Sequence, residues 1–147
     1  CILLMPCTWR FELIEAWYPN TTWNPAGKTV DIISDCELFD GRTEYAHIGG
    51  CYYASRMAVN ELLMAEGRTA GAVIMREAHP GYVMPVGVWN VRENVRACLK
   101  TRPMHFDTLD QAWVEIEKMM DINRETWIKN SGVLRDWMIQ RRIDDYY

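Results

Sequence analysis

A pair of glycines precedes a predicted helix and could bind an anion. Gly49 and Gly50 come directly before an apolar pattern with helical spacing, and Arg56 follows in the second turn. Glycines at a helix start leave backbone N–H groups accessible, and the positive end of the helix dipole attracts phosphate. Arg56 could add a bidentate, charge-assisted bond to the same group. The Gly-Lys-Ser/Thr signature of a P-loop is absent. The alternative interpretation is a tight turn that binds no anion, with Arg56 paired to Glu61 or Glu77.

Three residues farther along the chain could form a metal-dependent nuclease centre. Glu77 and Glu93 would supply hard oxygen ligands for magnesium, and His79 would supply a base. The close clusters of acidic residues that are usual in nucleases are absent, so a purely structural role competes with this one. A cysteine nucleophile is a second catalytic possibility. Cys51 opens a helix whose dipole would lower the thiol pKa, with His47 or His79 as the base.

A stripe of cations is predicted on a second helix. Arg92, Arg96 and Lys100 are spaced at i, i+4 and i+8, so they lie on one helix face. Such a stripe can contact successive phosphates of a nucleic-acid strand, and nearby Trp89 can stack on an unpaired base. The pattern therefore predicts nucleic-acid binding. The alternative is a solvated face on which Glu93 pairs with Arg96 or Glu77 pairs with Arg92.

The last eight residues have the spacing of a peptide that binds another protein. Ile143, Tyr146 and Tyr147 would share one side of a helical turn, and Gln140 precedes them with a side chain that donates and accepts hydrogen bonds. This pattern resembles the PCNA-interacting peptide, or PIP box. In that motif the aliphatic and aromatic side chains enter one pocket of the sliding clamp and the glutamine enters another. The resemblance implies PCNA as a partner. In the alternative, these residues complete a final amphipathic helix on the core.

The rest of the sequence predicts an α+β fold. Strand-like apolar runs come early, and helical patterns dominate the second half. Arg10–Trp17 fits either a strand or a helix, whereas Thr108 with Gln111 forms a capping-box pattern that predicts a helix start. We expect a small early β-sheet with helices packed on it, forming a body over residues 1–130. A helical C-terminal arm over residues 131–147 would end in the short peptide motif.

Composition limits the class of protein. The chain has 147 residues, of which 49% are hydrophobic, enough for one domain with a sizeable core. Its net charge of −4 argues against a strongly basic module that coats nucleic acid. Five scattered cysteines without a Cys-x-x-Cys pair predict free thiols in a reducing cytoplasm and no zinc ribbon. No transmembrane run or signal peptide is visible, so we expect no membrane contact. Because the chain begins at Cys1 and runs straight into an apolar segment, we expect a fragment of a longer protein.

Several segments together resemble the C-terminal part of Nre, an archaeal DNA repair family. The resemblance rests on Trp9–Trp17, Gly49–Arg56, Arg76–Glu77, Pro80–Tyr82, Pro85–Glu93 and the tail Gln140–Tyr147. It implies repair of DNA lesions with the clamp as recruiter, in a nucleoid-associated protein of a prokaryotic cytoplasm. Members of this family usually carry an N-terminal zinc module with four cysteines. That module is absent from this sequence, so any zinc would belong to a preceding segment.

These patterns lead us to expect a DNA repair protein that its tail recruits to PCNA. Its body would contact DNA through the residues proposed above: Arg56, Trp89, Arg92, Arg96 and Lys100. One alternative is a magnesium-dependent nuclease or nucleotide-phosphate hydrolase that acts on damaged DNA. Its candidate catalytic residues would be Glu77, His79 and Glu93. Another alternative is an adaptor that binds only proteins. We expect no cofactor in this segment, except magnesium if the protein is a nuclease. Whether the chain is an enzyme stays open.

Overall fold

The computed structural model describes residues 1–82 and 87–139. The predicted PIP-box residues, Gln140, Ile143, Tyr146 and Tyr147, therefore lie outside the described residues. Within the described part, the fold is α+β as predicted, with one sheet lying between two groups of helices.

The sheet combines antiparallel and parallel pairing. In chain order its strands are β1 (Ile2–Met5), β2 (Arg10–Trp17), β3 (Asp31–Glu37) and β4 (Gly71–Ala78). Their spatial order is β1-β4-β2-β3, in which β4 is parallel to β2 and the other two pairs are antiparallel. The segment Arg10–Trp17, whose sequence fitted either a strand or a helix, is thus a central strand. Every residue of β2 is buried, because helices cover both faces of the sheet at this position.

Helices cover the two faces of the sheet. In the part of the chain that the structure describes, they are α1 (Gly50–Ala65), α2 (Gly87–Leu99), α3 (Leu109–Met119), α4 (Arg124–Asn130) and α5 (Gly132–Ile139). Successive side chains of a strand point to opposite faces. Phe11 and Leu13 accordingly pack with α1 and α2, whereas Ile14 packs with α3, α4 and α5. None of these helices combines the length and the apolar character needed to cross a bilayer.

The helices α1 and α2 lie side by side and run in the same direction. Their first turns meet, since a Cβ built on Gly50 would lie 2.5 Å from Val88 Cγ1. Farther along both helices, Arg96 Nε donates to Glu61 Oε2 at 2.7 Å. This parallel alignment brings the two helix N-termini to one edge of the molecule.

A buried carboxylate holds α5 against the sheet. Glu12 on β2 accepts the N–H groups of Gly132 (2.9 Å) and Val133 (3.0 Å) and the hydroxyl of Ser131. Burial raises the pKa of Glu12, and these three hydrogen bonds oppose the rise. Val133 and Leu134 are fully buried. The helix that ends where the predicted PIP box begins therefore packs on the same core as the strands.

Candidate functional site

Two segments that the sequence singled out meet at one edge of the molecule. Gly49, which precedes α1, has a φ of 75°, a conformation in which an L side chain is strained. Gly50 packs so closely on Val88 at the start of α2 that a Cβ would meet the valine methyl at 2.5 Å. Gly49 is thus required for its backbone conformation, and Gly50 is required because no space is left for a side chain. Both requirements serve the convergence of the two helix starts.

An ion pair lies beside these helix starts. Arg76 on β4 pairs with Glu15 on β2, at a point where the two parallel strands are in register. The thiol of Cys51 lies within range of both charges. Burial raises its pKa, Glu15 raises it further, and Arg76 lowers it. The predicted lowering of the Cys51 pKa is therefore wrong, because desolvation disfavours the thiolate at this position, and a nucleophilic role for Cys51 stays a prediction.

This edge can bind an anion or an exposed base. The first turns of α1 and α2 contain no acidic residue, so the positive ends of both helix dipoles are not offset there. Sheets with parallel strands commonly bind ligands in the crevice outside the carboxyl ends of those strands. In the first turn of α2, Trp89 exposes 62% of its surface, and an indole so placed can stack on an unpaired base.

Carboxylates offset most of the predicted cationic stripe. Arg96 donates to Glu61 and to Glu93, each at 2.7 Å, and Arg92 donates to Glu93 at 3.1 Å. The hydrogen bond from Arg96 lowers the pKa of Glu61, which keeps this partner ionised at neutral pH. Lys100 is exposed just after the end of α2. The stripe stays a prediction, and it carries less net positive charge than its spacing suggests because α1 supplies an acidic partner.

Arg56 has a partner that the sequence did not suggest. Its Nε donates at 2.7 Å to Glu37, at the end of β3, and not to Glu61 or Glu77. Its guanidinium carbon lies 5.3 Å from the ring centre of Trp9, within the range of a cation–π contact. A phosphate contact by Arg56 stays a prediction, and the phosphate would have to compete with a carboxylate that is already in place.

The predicted metal-dependent centre is assembled only in part. Glu77 Oε2 lies 3.3 Å from His79 Nε2, and Asp121 joins them, with ligand atoms all within 4.8 Å of one another. Glu93 is bonded instead to arginines of its own helix. Glu77 also accepts the Ile122 N–H at 2.8 Å, so this carboxylate anchors the loop between α3 and α4. One imidazole and two carboxylates could together hold a divalent cation.

Two of these charged residues, Glu15 and Asp121, were not singled out from the sequence. Glu15 lies in an apolar strand, and this was a usable signal, because a buried charge requires a partner. For Asp121 the local pattern contained no signal, since it lies 44 residues from Glu77 in the chain. Its position depends on how α3 and α4 pack against the end of β4.

Comparison with known proteins identifies the family. A family model described as archaeal Nre, C-terminal, matches residues 37–146. The chain is 43% identical over 133 residues to DNA repair protein NreB of Archaeoglobus fulgidus, an alignment that covers 90% of this chain and 34% of that protein. It is 34% identical over 124 residues to DNA repair protein NreA of Haloferax volcanii, covering 83% of this chain and 30% of that protein. With DNA repair protein NreA of Archaeoglobus fulgidus it shares 32% identity over 124 residues, covering 84% of this chain and 31% of that protein.

The chain thus spans about a third of the length of these relatives. No solved structure matches it. The family match covers most of the chain and includes the segments on which the resemblance rested, apart from Trp9–Trp17 and the final tyrosine. The chain belongs to the archaeal Nre family and corresponds to its C-terminal part.

Proposed function

We propose that this chain is part of a DNA repair protein whose body contacts DNA and whose tail binds the sliding clamp PCNA. The role in repair is supported by the names of the relatives, of which NreB of Archaeoglobus fulgidus is 43% identical to this chain. The observation that carries the DNA contact is the edge at which α1 and α2 begin together. It combines the N-termini of two helices, whose first turns contain no acidic residue, with an exposed indole, Trp89. Weak binding at this edge and at the tail would act as linked interactions on clamp-loaded DNA.

DNA contact by the body is tested with labelled single-stranded oligonucleotides. Trp89→Ala removes the exposed ring, and we expect about 5- to 150-fold weaker binding, since stacking on one aromatic ring contributes about 1–3 kcal/mol. Met64→Ala is the matched control, because Met64 is an exposed apolar side chain near the other end of α1. Fluorescence anisotropy at several salt concentrations measures both. If the unmodified chain binds no DNA even at low salt, the contact is refuted and the protein-only adaptor is favoured.

Clamp binding by the tail is tested by calorimetry with PCNA from the same organism. Single peptides of micromolar affinity bind with about −8 kcal/mol. Changing Tyr146→Ala together with Tyr147→Ala removes two aromatic side chains, each of which contributes about 1.5–3 kcal/mol when fully buried. We expect the affinity to fall at least tenfold while the circular dichroism spectrum is unchanged. Asp144→Ala lies between the apolar positions and serves as the control. An unchanged affinity in the double variant would refute the PIP-box assignment.

The cluster of Glu77, His79 and Asp121 favours one alternative, a metal-dependent nuclease. Its ligand atoms lie within 4.8 Å of one another, although Glu93 does not join them. The test is cleavage of nicked, flapped or crosslinked DNA with magnesium or manganese. Asp121→Asn is the informative variant because Asp121 is exposed and its side chain can change without disturbing the core. Cleavage that Asp121→Asn abolishes would establish the enzyme, whereas no metal-dependent cleavage by the unmodified chain would exclude it.

A further inference from the structure

A cleft lies between the end of β3 and the first two turns of α1, next to the edge at which α1 begins. Its volume is about 360 Å³, within the range of about 300–1,000 Å³ that is typical of small-molecule sites. Its aromatic and charged lining residues are Glu37, Arg42, Glu44, Tyr45, Tyr53 and Arg56. They come from the end of a strand, the following loop and the first two turns of a helix, so the fold fixes their relative positions.

Two tyrosines form an aromatic wall of this cleft. The rings of Tyr45 and Tyr53 have centroids 5.0 Å apart and planes inclined by 34°. Tyr53 is held in place because its hydroxyl accepts the Ala46 N–H at 3.0 Å. Tyr45 exposes 69% of its surface, so a ring face is open to a ligand. An open ring beside a fixed one offers a stacking surface for another flat ring.

The polar side of the cleft is organised before any ligand arrives. Glu37 is only 5% exposed, and one of its oxygens, Oε1, accepts both Trp9 Nε1 (2.6 Å) and Arg56 Nε (2.7 Å). Arg42 donates to Asp35 and, at 2.7 Å, to the Cys36 carbonyl. Donors and acceptors therefore sit in fixed positions next to the aromatic wall.

The charges of the cleft favour a neutral ligand over a phosphate. Asp35 offsets Arg42, and Glu37 offsets Arg56, so the two cations do not leave a net positive charge. A phosphate would meet the Glu44 carboxylate, which also lines the cleft, and guanidinium groups whose charges are already paired. A flat, uncharged ring with donors and acceptors on its edge matches both the tyrosine wall and the paired charges.

We infer that this cleft receives an unpaired nucleobase, stacked on Tyr45 with its polar edge toward Glu37 and Arg56. The inference rests on the proposed contact between the body and DNA, and it adds the class of ligand and a second contact point. A base that leaves the duplex, through damage or at a bulge, exposes the flat face and polar edge that the cleft accepts. The protein would thereby distinguish distorted DNA from regular duplex.

The experiment compares two DNA duplexes that differ at one bulged position. One carries a bulged 2-aminopurine, whose fluorescence falls on stacking, and the other carries a bulged abasic site. For the unmodified chain we expect about 5- to 150-fold tighter binding to the bulged base, from stacking of about 1–3 kcal/mol, together with quenching of its emission. Tyr45→Ala removes both effects, and Tyr45→Phe keeps them. Phe39→Ala keeps them too, since Phe39 is a comparably exposed ring (71%) that does not line the cleft.

The outcomes separate the cleft from the proposed DNA contact. Equal affinity of the unmodified chain for the two duplexes overturns the base site while the DNA contact stands. A base preference that survives in Tyr45→Ala also overturns it, because the base would then bind elsewhere. When both duplexes also carry the same single-stranded overhang as a site for Trp89, Trp89→Ala is expected to weaken binding to both by the same factor. If the unmodified chain binds neither duplex, the DNA contact itself fails and the base site fails with it.

Discussion

Replacing Gly50 by alanine tests the contact between the two helix starts. An added Cβ would lie 2.5 Å from Val88 Cγ1, far inside van der Waals contact. Val88 cannot easily turn this methyl away, because a β-branched side chain in a helix has one strongly preferred rotamer. Overpacking of this kind costs about 1–3 kcal/mol. Since Gly50 does not have a positive φ, alanine otherwise suits the position and contributes about 0.4–1 kcal/mol by restricting the unfolded chain. We therefore expect Gly50→Ala to lower the free energy of unfolding by about 1 kcal/mol.

Gly50→Ala should stabilise the protein, and not destabilise it, once the methyl of Val88 that opposes it is removed. Val88→Ala deletes Cγ1, and the nearest remaining atom of that side chain, its Cβ, would lie 3.6 Å from the new methyl, an ordinary contact. In that background, Gly50→Ala should raise the free energy of unfolding by about 0.5 kcal/mol. Val88 is exposed on its outer side, so Val88→Ala alone should cost little.

Urea unfolding of the four proteins, followed by tryptophan fluorescence, measures the coupling. We expect an interaction free energy of about 1–2 kcal/mol between the two positions. Gly67→Ala is the control: Gly67 ends α1 with a φ of 62° and has no neighbour near its Cβ, so its cost is backbone strain that Val88→Ala cannot relieve. Additive effects of Gly50→Ala and Val88→Ala, within about 0.5 kcal/mol, would show that the helix starts do not meet as described.

Substitutions at two positions and one chemical modification test other parts of the structure. Trp127 is fully buried between the sheet and α4, so Trp127→Ala should lower the free energy of unfolding by about 3–5 kcal/mol in urea. Thr108 caps α3 by accepting the Gln111 N–H at 3.2 Å, so Thr108→Ala should cost about 1 kcal/mol and Thr108→Ser only a few tenths of that. Burial raises the pKa of the Cys51 thiol, so iodoacetamide at pH 8 should modify exposed Cys98 first. Labelling of Cys51, measured by mass spectrometry, should rise only at higher pH, and rapid labelling at pH 8 would contradict its burial.

The helices and strands of this protein follow from patterns between neighbours in the chain. The apolar run at Ile2–Met5 is β1, and the helical spacing that follows Gly49-Gly50 is α1. The predicted helix start at Thr108 is also confirmed, since Thr108 Oγ1 accepts the Gln111 N–H; the return bond of the capping box differs, because Gln111 Oε1 accepts the Asp107 N–H and not that of Thr108. Such signals are local: a capping bond or an apolar face involves residues within one or two turns, so the order of residues suffices. The motifs that indicated the Nre family are local in the same sense.

The pairing of Arg96 with Glu93 was foreseen from their spacing, but other partners of the charged residues came only from the tertiary structure. Arg56 pairs with Glu37, which lies 19 residues away, and Arg96 pairs with a carboxylate 35 residues away on α1. The same holds for the bond between Glu77 and the loop before α4, across 44 residues. No local pattern distinguishes these pairs from the alternatives, because the order of the strands and the parallel packing of α1 and α2 decide which side chains meet. The cleft beside Tyr45 has the same origin, since its walls come from a strand end, a loop and a helix that only folding brings together.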